Sequence, residues 1–484
     1  MKSSCSFNLF ILAAVIFLGC LNPNGATTCH PDDEAGLLAF KSGITEDSSG
    51  VLSSWTKGTD CCSWFGVYCA NQHRVTSLSL GDLTGDFPYT LSGTISPSLS
   101  KLQHLESFEL IGLKEIRGPF PQFLLRLPNL KQIYIRRNRL SGPLPTNIGT
   151  LSPHLETLVL GANRFTGAIP SSISNLTRLK ELYLNDNLLT GSIPPGIGNL
   201  KLMSIITLDG NSLSGPIPNI FKSMTKLRIL TLSRNRLSGE VPPSIASLGP
   251  SLEFLELGHN NLSGSIPSYI SRLAKLKKLD LSSNRFSGGV PQSLSKLTDV
   301  FDMDLSRNLL TSPFPVWNVT ENLRTLDLSY NNFYMETIPE WVTSASYVVS
   351  LKLAKCGIKM SLSDWKPENI GVYSYIDLSE NEITGSPGKL LINEGSMREF
   401  RASGNKLRFD MGKLNIPESL ETLDLSRNLV FGNVPGTVTG LLTLNLSQNH
   451  LCGKLPVTEF PPSVFAGNDC LCGSPLPPCE SEYG

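Results

Sequence analysis

The chain has 484 residues, 40% of them apolar, and its 41 Lys and Arg are balanced by 41 Asp and Glu, for a formal net charge of zero at pH 7. That balance leaves no basic footprint for a nucleic acid or an anionic membrane surface, and neither partner is expected. No glycine-rich phosphate cradle, His/Cys metal cluster or nucleophile motif appears, so no cofactor, no metal and no enzymatic activity are expected.

Residues 1–28 read as a secretory signal. Lys2 gives the positive start, Asn8–Gly19 the apolar run and Gly25-Ala26-Thr27 a small-residue cleavage region, with the cut placed between Cys20 and Thr28. The run is too short to cross a bilayer and no second one follows, so a secreted chain without a membrane anchor is expected. Residues 29–73 then form a distinct block. CHPDDEAGLLAFKSGI (Cys29–Ile44) is a short amphipathic helix with acidic residues in its first turn, followed by LSSW (Leu52–Trp55) and DCCSWFGVYC (Asp60–Cys69).

From residue 74 to 451 one frame recurs. LRILTLSRNRLSGEVP (Leu227–Pro242) repeats as LKELYLNDNLLTGSIP (Leu179–Pro194), LEFLELGHNNLSGSIP (Leu252–Pro267) and LKKLDLSSNRFSGGVP (Leu276–Pro291). Leu230 and Leu232 alternate on a short strand and point inwards, whereas Thr231, Ser233 and Arg234 face out. An Asn amide can donate to and accept from the backbone where the chain leaves the strand. That slot holds Asn138, Asn163, Asn187, Asn211, Asn235, Asn260, Asn284, Asn308, Asn331, Cys356, Asn381, Asn405, Asn428 and Asn449. Two weaker turns, Val75–Leu83 and Leu105–Leu113, precede them with Leu in the slot. About sixteen turns stacked at roughly 4.8 Å give an inner sheet of about 75 Å. No turn buries its leucines alone, so the stack is one elongated domain, closed by a cap at 29–73 and another at 452–484.

This is the leucine-rich repeat pattern, and the Gly, aliphatic, Pro exit resembles the plant extracellular subtype. The fold implied is an α/β solenoid: a right-handed plant-type leucine-rich repeat superhelix with a concave parallel β-sheet and disulfide-bonded N- and C-terminal caps. The frame weakens between Thr311 and Asn405, where the exit motif is missing, but the lengths still fit single turns and no inserted domain is expected. Trp55, Cys61, Cys62, Trp64, Gly66, Val67 and Cys69 match the plant N-terminal cap, and the resemblance implies the pairs Cys29–Cys61 and Cys62–Cys69. In CLCGSPLPPC (Cys470–Cys479) and the preceding turn it implies Cys452–Cys470 and Cys472–Cys479. Cys5 and Cys20 leave with the signal, and Cys356 remains as an Asn replacement in the ladder.

Both caps, NEITGSPGKLLINEGSMREFRASGNKLRFDMGKL (Asn381–Leu414), LDLSRN (Leu423–Asn428) and LCGSPLPPC (Leu471–Cys479) resemble the plant polygalacturonase-inhibiting proteins, with several more turns than typical inhibitors. The resemblance implies that residues flanking the strand leucines, among them Thr207, Asp209, Thr231 and Arg234, bind a microbial pectin-degrading enzyme and block it. From the residues themselves, Tyr134, Arg136, Arg137, Tyr183, Asp186, Asp209, Arg234, Glu256 and His259 form one outward patch of interface-type side chains. Of six scattered His, only His259 falls on an expected inner strand.

A row of Glu256, Asp280, Asp304 and Asp327 places carboxylates about 5 Å apart, within range of a retaining glycosidase pair. Asp recurs in the same place at Asp377 and Asp424, and an open sheet is wet, so the row reads as a solvated face or a patch for a basic partner. Sequons at Asn175, Asn261, Asn318 and Asn445 are expected to carry glycans in a secreted protein. Asn445 faces out of the inner sheet, which directs a partner to the N-terminal half. The function expected is a secreted cell-wall recognition protein that inhibits a microbial polygalacturonase. One alternative is a soluble receptor-like module for a peptide or a membrane receptor kinase. Another is ice or polysaccharide binding through the row Ser233, Ser282, Ser306 and Ser329. The sequence leaves the oligomeric state open.

Overall fold

A computed structural model describes residues 29–70, 73–81, 89–317 and 322–479. The signal segment, Leu83, the Asn318 sequon and the last five residues lie outside the described residues. Each turn contributes one short strand to an inner sheet, and these strands pair in sequence order from Arg74–Gly81 to Thr443–Asn445, all parallel. Register is in line throughout. Leu230 pairs with Ile206 and Leu255, and Thr231 with Thr207 and Glu256. Stacking therefore sorts side chains into columns: the strand leucines are buried in a continuous core, and the residues between them line the concave face.

The Asn ladder runs beneath the sheet. Asn308 Nδ2 donates to Leu281 O (3.0 Å), Leu305 O (3.1 Å) and Ser306 O (3.1 Å), while its Oδ1 accepts from Phe286 N–H (3.0 Å). The residue before each Asn takes a left-handed turn, as at Arg137 (φ 54°), Asp186 (φ 50°), Arg234 (φ 55°) and His259 (φ 55°). His259 is thus placed past the strand Phe254–Glu256 and not on it. Three-residue strands also end the two-residue alternation early. Ser233, Ser282, Ser306 and Ser329, just past the strand ends, are buried between neighbouring turns, contrary to the exposed row expected of them. Ser282 and Ser306 hydroxyls donate to Asp280 and Asp304 (both 2.6 Å). The identical short polar row required for a flat ice- or sugar-binding face is not on the surface.

A second, 11-stranded sheet lines the opposite flank, running from Ile44–Asp47 to Leu309–Thr311. Its strands close at glycines such as Gly239 (φ 77°), from which Pro242 leads the chain out in extended form. The sheet stops at Thr311, where the Gly, aliphatic, Pro exit stops, and isolated bridges such as Glu336 to Ile358 replace it. The inner ladder continues unbroken across this stretch.

Both ends are closed by disulfide-bonded caps. Cys29 is bonded to Cys61, Cys62 to Cys69, Cys452 to Cys470 and Cys472 to Cys479. At the N-terminal end the helix Pro31–Ser42 sends Asp33, fully buried, onto Arg74 through two 2.9 Å bonds and onto Val75 N–H (2.9 Å). Trp55 stacks on Trp64 over the first leucines.

Cys356 is buried and unbonded, 3.5 Å from Leu328 O. A thiol has no oxygen to offer Phe333 N–H, which stands where Leu310 N–H meets Asn331 Oδ1 (3.1 Å) one turn earlier. Cys356→Asn should therefore stabilise the fold by about 1–2 kcal/mol, read as a higher urea midpoint at constant slope.

Candidate functional site on the concave face

A depression of about 590 Å³ opens on the inner sheet. Arg136, Arg137, Tyr183, Asp186, Thr207, Asp209, Thr231, Arg234, Glu256, His259 and Asp280 line it. Tyr134 lies at its edge, in register with Val159, and Asp304 lies outside it, one strand beyond Asp280. The floor also holds Val159, Gly161, Ala162, Asn185 and Ser233. Gly161 sits against the Asn185 amide, where a Cβ would come within 2.5 Å of its oxygen.

Part of this surface is internally satisfied. Arg234 meets Asp209 (3.3 Å) and Asp186 (3.6 Å), Thr231 Oγ1 donates to Asp209 (2.9 Å), and Asn185 Nδ2 donates to Asp186 (2.8 Å). Arg136 and Arg137, by contrast, have no ion pair among the described residues. Desolvation first, and then the adjacent Arg137 charge, pull the Arg136 guanidinium below its ordinary pKa. Burial likewise holds the Tyr134 and Tyr183 phenols above the usual range, with Glu181 adding to it. A half-buried cation without a counter-ion is ready to pair with an incoming carboxylate.

Sequence reasoning missed an apolar strip beside the depression. Ile205, Ile229 and Phe254 are aligned on three consecutive strands, face outwards and are half-buried. The signal was available in IITL, ILTL and FLEL, whose first residues hold a column that is Glu at 181 and Lys at 278. The concave face is therefore graded: cations and tyrosines, then apolar side chains, then carboxylates.

The acidic row is less solvated than its sequence suggests. Lys278 bridges Glu256 (3.3 Å) and Asp302 (3.5 Å), and Lys352 stands 3.6 Å from Asp327. Asp304 has no such cation among the described residues. Burial, and next the Asp327 charge, push its carboxyl up to about 6, against the opposing pull of the Ser306 hydrogen bonds. A carboxyl raised in the fold releases its proton at higher pH folded than unfolded. Its cost is absent below the unfolded value near 4, grows as pH rises to about 6, and stays above it. At neutral pH that cost is at most about 3 kcal/mol. Asp304→Asn should remove this slope and raise the melting temperature at pH 7 but not at pH 3.5. Asn445 already makes the same bonds to Ser447 in its own turn (3.2 and 2.8 Å).

Of the sequons, Asn175 is exposed at the end of the 3₁₀ turn Ser171–Asn175, Asn261 opens the outer strand Asn261–Ser265, and Asn445 lies half-buried on the inner sheet.

The stacked coils, ladder and caps define a leucine-rich repeat solenoid. Family comparisons agree: residues 30–70 match the leucine rich repeat N-terminal domain, and 129–151, 153–213, 226–248, 250–310 and 322–345 match leucine rich repeats. The chain is thus a leucine-rich repeat protein that resembles the plant polygalacturonase inhibitors. It is 35% identical to polygalacturonase inhibitor 1 of Arabidopsis thaliana over 114 residues, 22% of this chain and 34% of that protein. It is 33% identical to the DNA damage-repair/toleration protein DRT100 of the same plant over 138 residues, 27% of this chain and 37% of that one. The matches span about a third of these relatives' length. Among solved structures, the PEPR1–AtPEP1 crystal structure superposes with a TM-score of 0.63 at 24% identity, covering 90% of this chain and 68% of that one. This last likeness is one of fold. Among the described residues no helix is long and apolar enough to cross a membrane.

Proposed function

We propose that the chain is an extracellular recognition protein of the plant cell wall whose concave depression grips another protein, and that this partner is a microbial polygalacturonase that it inhibits. The observation that carries the reading is the graded surface around the depression. Tyr134, Tyr183 and two arginines without an ion pair among the described residues lie at one end, carboxylates at the other, and an apolar strip runs beside the depression between them. Aromatic and Arg anchors next to half-buried apolar area are the composition of a protein interface. The relationship to polygalacturonase inhibitors directs the choice of partner, and four disulfides suit an oxidising compartment. Pull-down of purified chain with fungal polygalacturonases, paired with a pectin-hydrolysis assay, tests it. Co-purification with a reduced hydrolysis rate supports inhibition. Unchanged rates with no binding discard it, and recovery of a peptide or a receptor kinase from apoplastic fluid would point to a receptor-like role.

A further inference from the structure

The outer flank carries a cavity of its own, apart from the concave depression. It has a volume of about 200 Å³ and opens where the outer strands Leu91–Thr94 and Lys114–Gly118 run into the 3₁₀ turns Pro97–Lys101 and Gln122–Arg126. Two departures from the repeat coincide there. Phe123 takes a place held by Ser98, Asn147 and Ser172 in neighbouring turns, and its ring is buried edge-on against Phe108, 5.8 Å between centroids. Ile95 is only half-buried, whereas its counterparts Phe120, Leu144 and Ile169 are buried. The walls are accordingly flat and apolar: Pro97, Pro119, Phe120, Pro121 and Phe123.

The mouth is cationic. Arg117 lines it and is the in-register neighbour of Thr94 on one side and Arg139 on the other. Arg117 and Arg139 share one carboxylate, Glu115 (2.6 and 2.5 Å), and Arg164 on the next strand has no ion pair among the described residues. Glu46 and Asp47 stand opposite Ser92 and Leu91, towards the far end of the strand. Three guanidinium groups against one carboxylate leave the mouth positive. Arg117 meets Glu115 through Nη2, and its other donors have no partner among the described residues. An apolar cavity of roughly 150 Å³ is enough to take up benzene, so a single ring nearly fills this one. Flat proline and phenylalanine walls favour a ring over a flexible chain, and the positive mouth favours an acid group on that ring.

We propose that this pocket binds a small aryl carboxylate, with the ring held between the prolines and Phe123 and the carboxylate on Arg117. For a ligand of about nine non-hydrogen atoms, such as benzoate, Kd is on the order of 0.1–1 mM.

Saturation-transfer NMR titration of the whole chain with benzoate, up to about 10 mM, tests this. Benzoate should bind saturably, and cyclohexanecarboxylate and benzyl alcohol, which lack the aromatic ring and the charge respectively, should each bind about fivefold or more weakly. Arg117→Gln, at an exposed position, should weaken benzoate about fivefold with the melting temperature unchanged. Thr94→Trp, which sets an indole at the mouth, should abolish binding while the chain stays folded by the same measure. The proposal is overturned by an absence of saturable binding, by benzoate binding indifferent to both variants, or by cyclohexanecarboxylate binding as well as benzoate. Much tighter binding of a peptide ending in a Phe carboxylate, lost in Thr94→Trp, would also overturn it and give the pocket to a protein terminus.

Discussion

Asn308→Ala should destabilise the solenoid by about 2–4 kcal/mol, seen as a fall in the urea midpoint. The amide serves three carbonyls and the Phe286 N–H, all beneath a buried coil. Truncation leaves these groups without partners and without water, so the loss is larger than one hydrogen bond would give. Asn308→Cys should cost less, because the chain already carries Cys356 in the equivalent slot. Asn211→Ala should also cost less, since Asn211 is only half-buried and water can reach the groups it leaves. Equal losses at all three would mean that the ladder acts by shape and not by hydrogen bonding.

The second large effect concerns binding. Tyr134→Ala with Tyr183→Ala should lower affinity for a bound polygalacturonase by ten- to a hundredfold, about 1.4–3 kcal/mol. The fold should stay intact, because both rings stand on the concave side of their strands while Ile133, Ile135, Leu182 and Leu184 hold the core. Arg136→Glu should weaken the complex further and make it less sensitive to salt, since it removes an unpaired cation. Surface plasmon resonance at two ionic strengths reads both effects. Retained affinity in the double Tyr variant would move the interface off this face.

The spacing of leucine and asparagine was enough to read the solenoid, because each turn makes the same contacts and errors do not accumulate from one to the next. It also brought most of the patch to one depression: residues flanking strand leucines at equal positions must share a column once register is in line. What it could not give were departures from alternation. Ser233 and Ser306 were expected to be exposed, yet the strands end at Thr231 and Asp304 and both serines are buried just beyond. His259 was assigned to a strand that stops at Glu256. Asp304 was expected to be solvated, but its raised pKa comes from burial and from its carboxylate neighbours across strands, neither of which is written in any single turn. The apolar strip Ile205, Ile229 and Phe254 was legible in principle and was hidden by attention to charged and aromatic positions.

The most direct check on the hollow side as the gripping surface is hydrogen–deuterium exchange of the chain with and without a fungal polygalacturonase. Slowed exchange should be confined to inner strands from Gln132–Arg136 to Lys278–Asp280 and the left-handed turns that follow them. Slowing instead along the outer sheet or the 3₁₀ turns, with the inner strands unchanged, would contradict it.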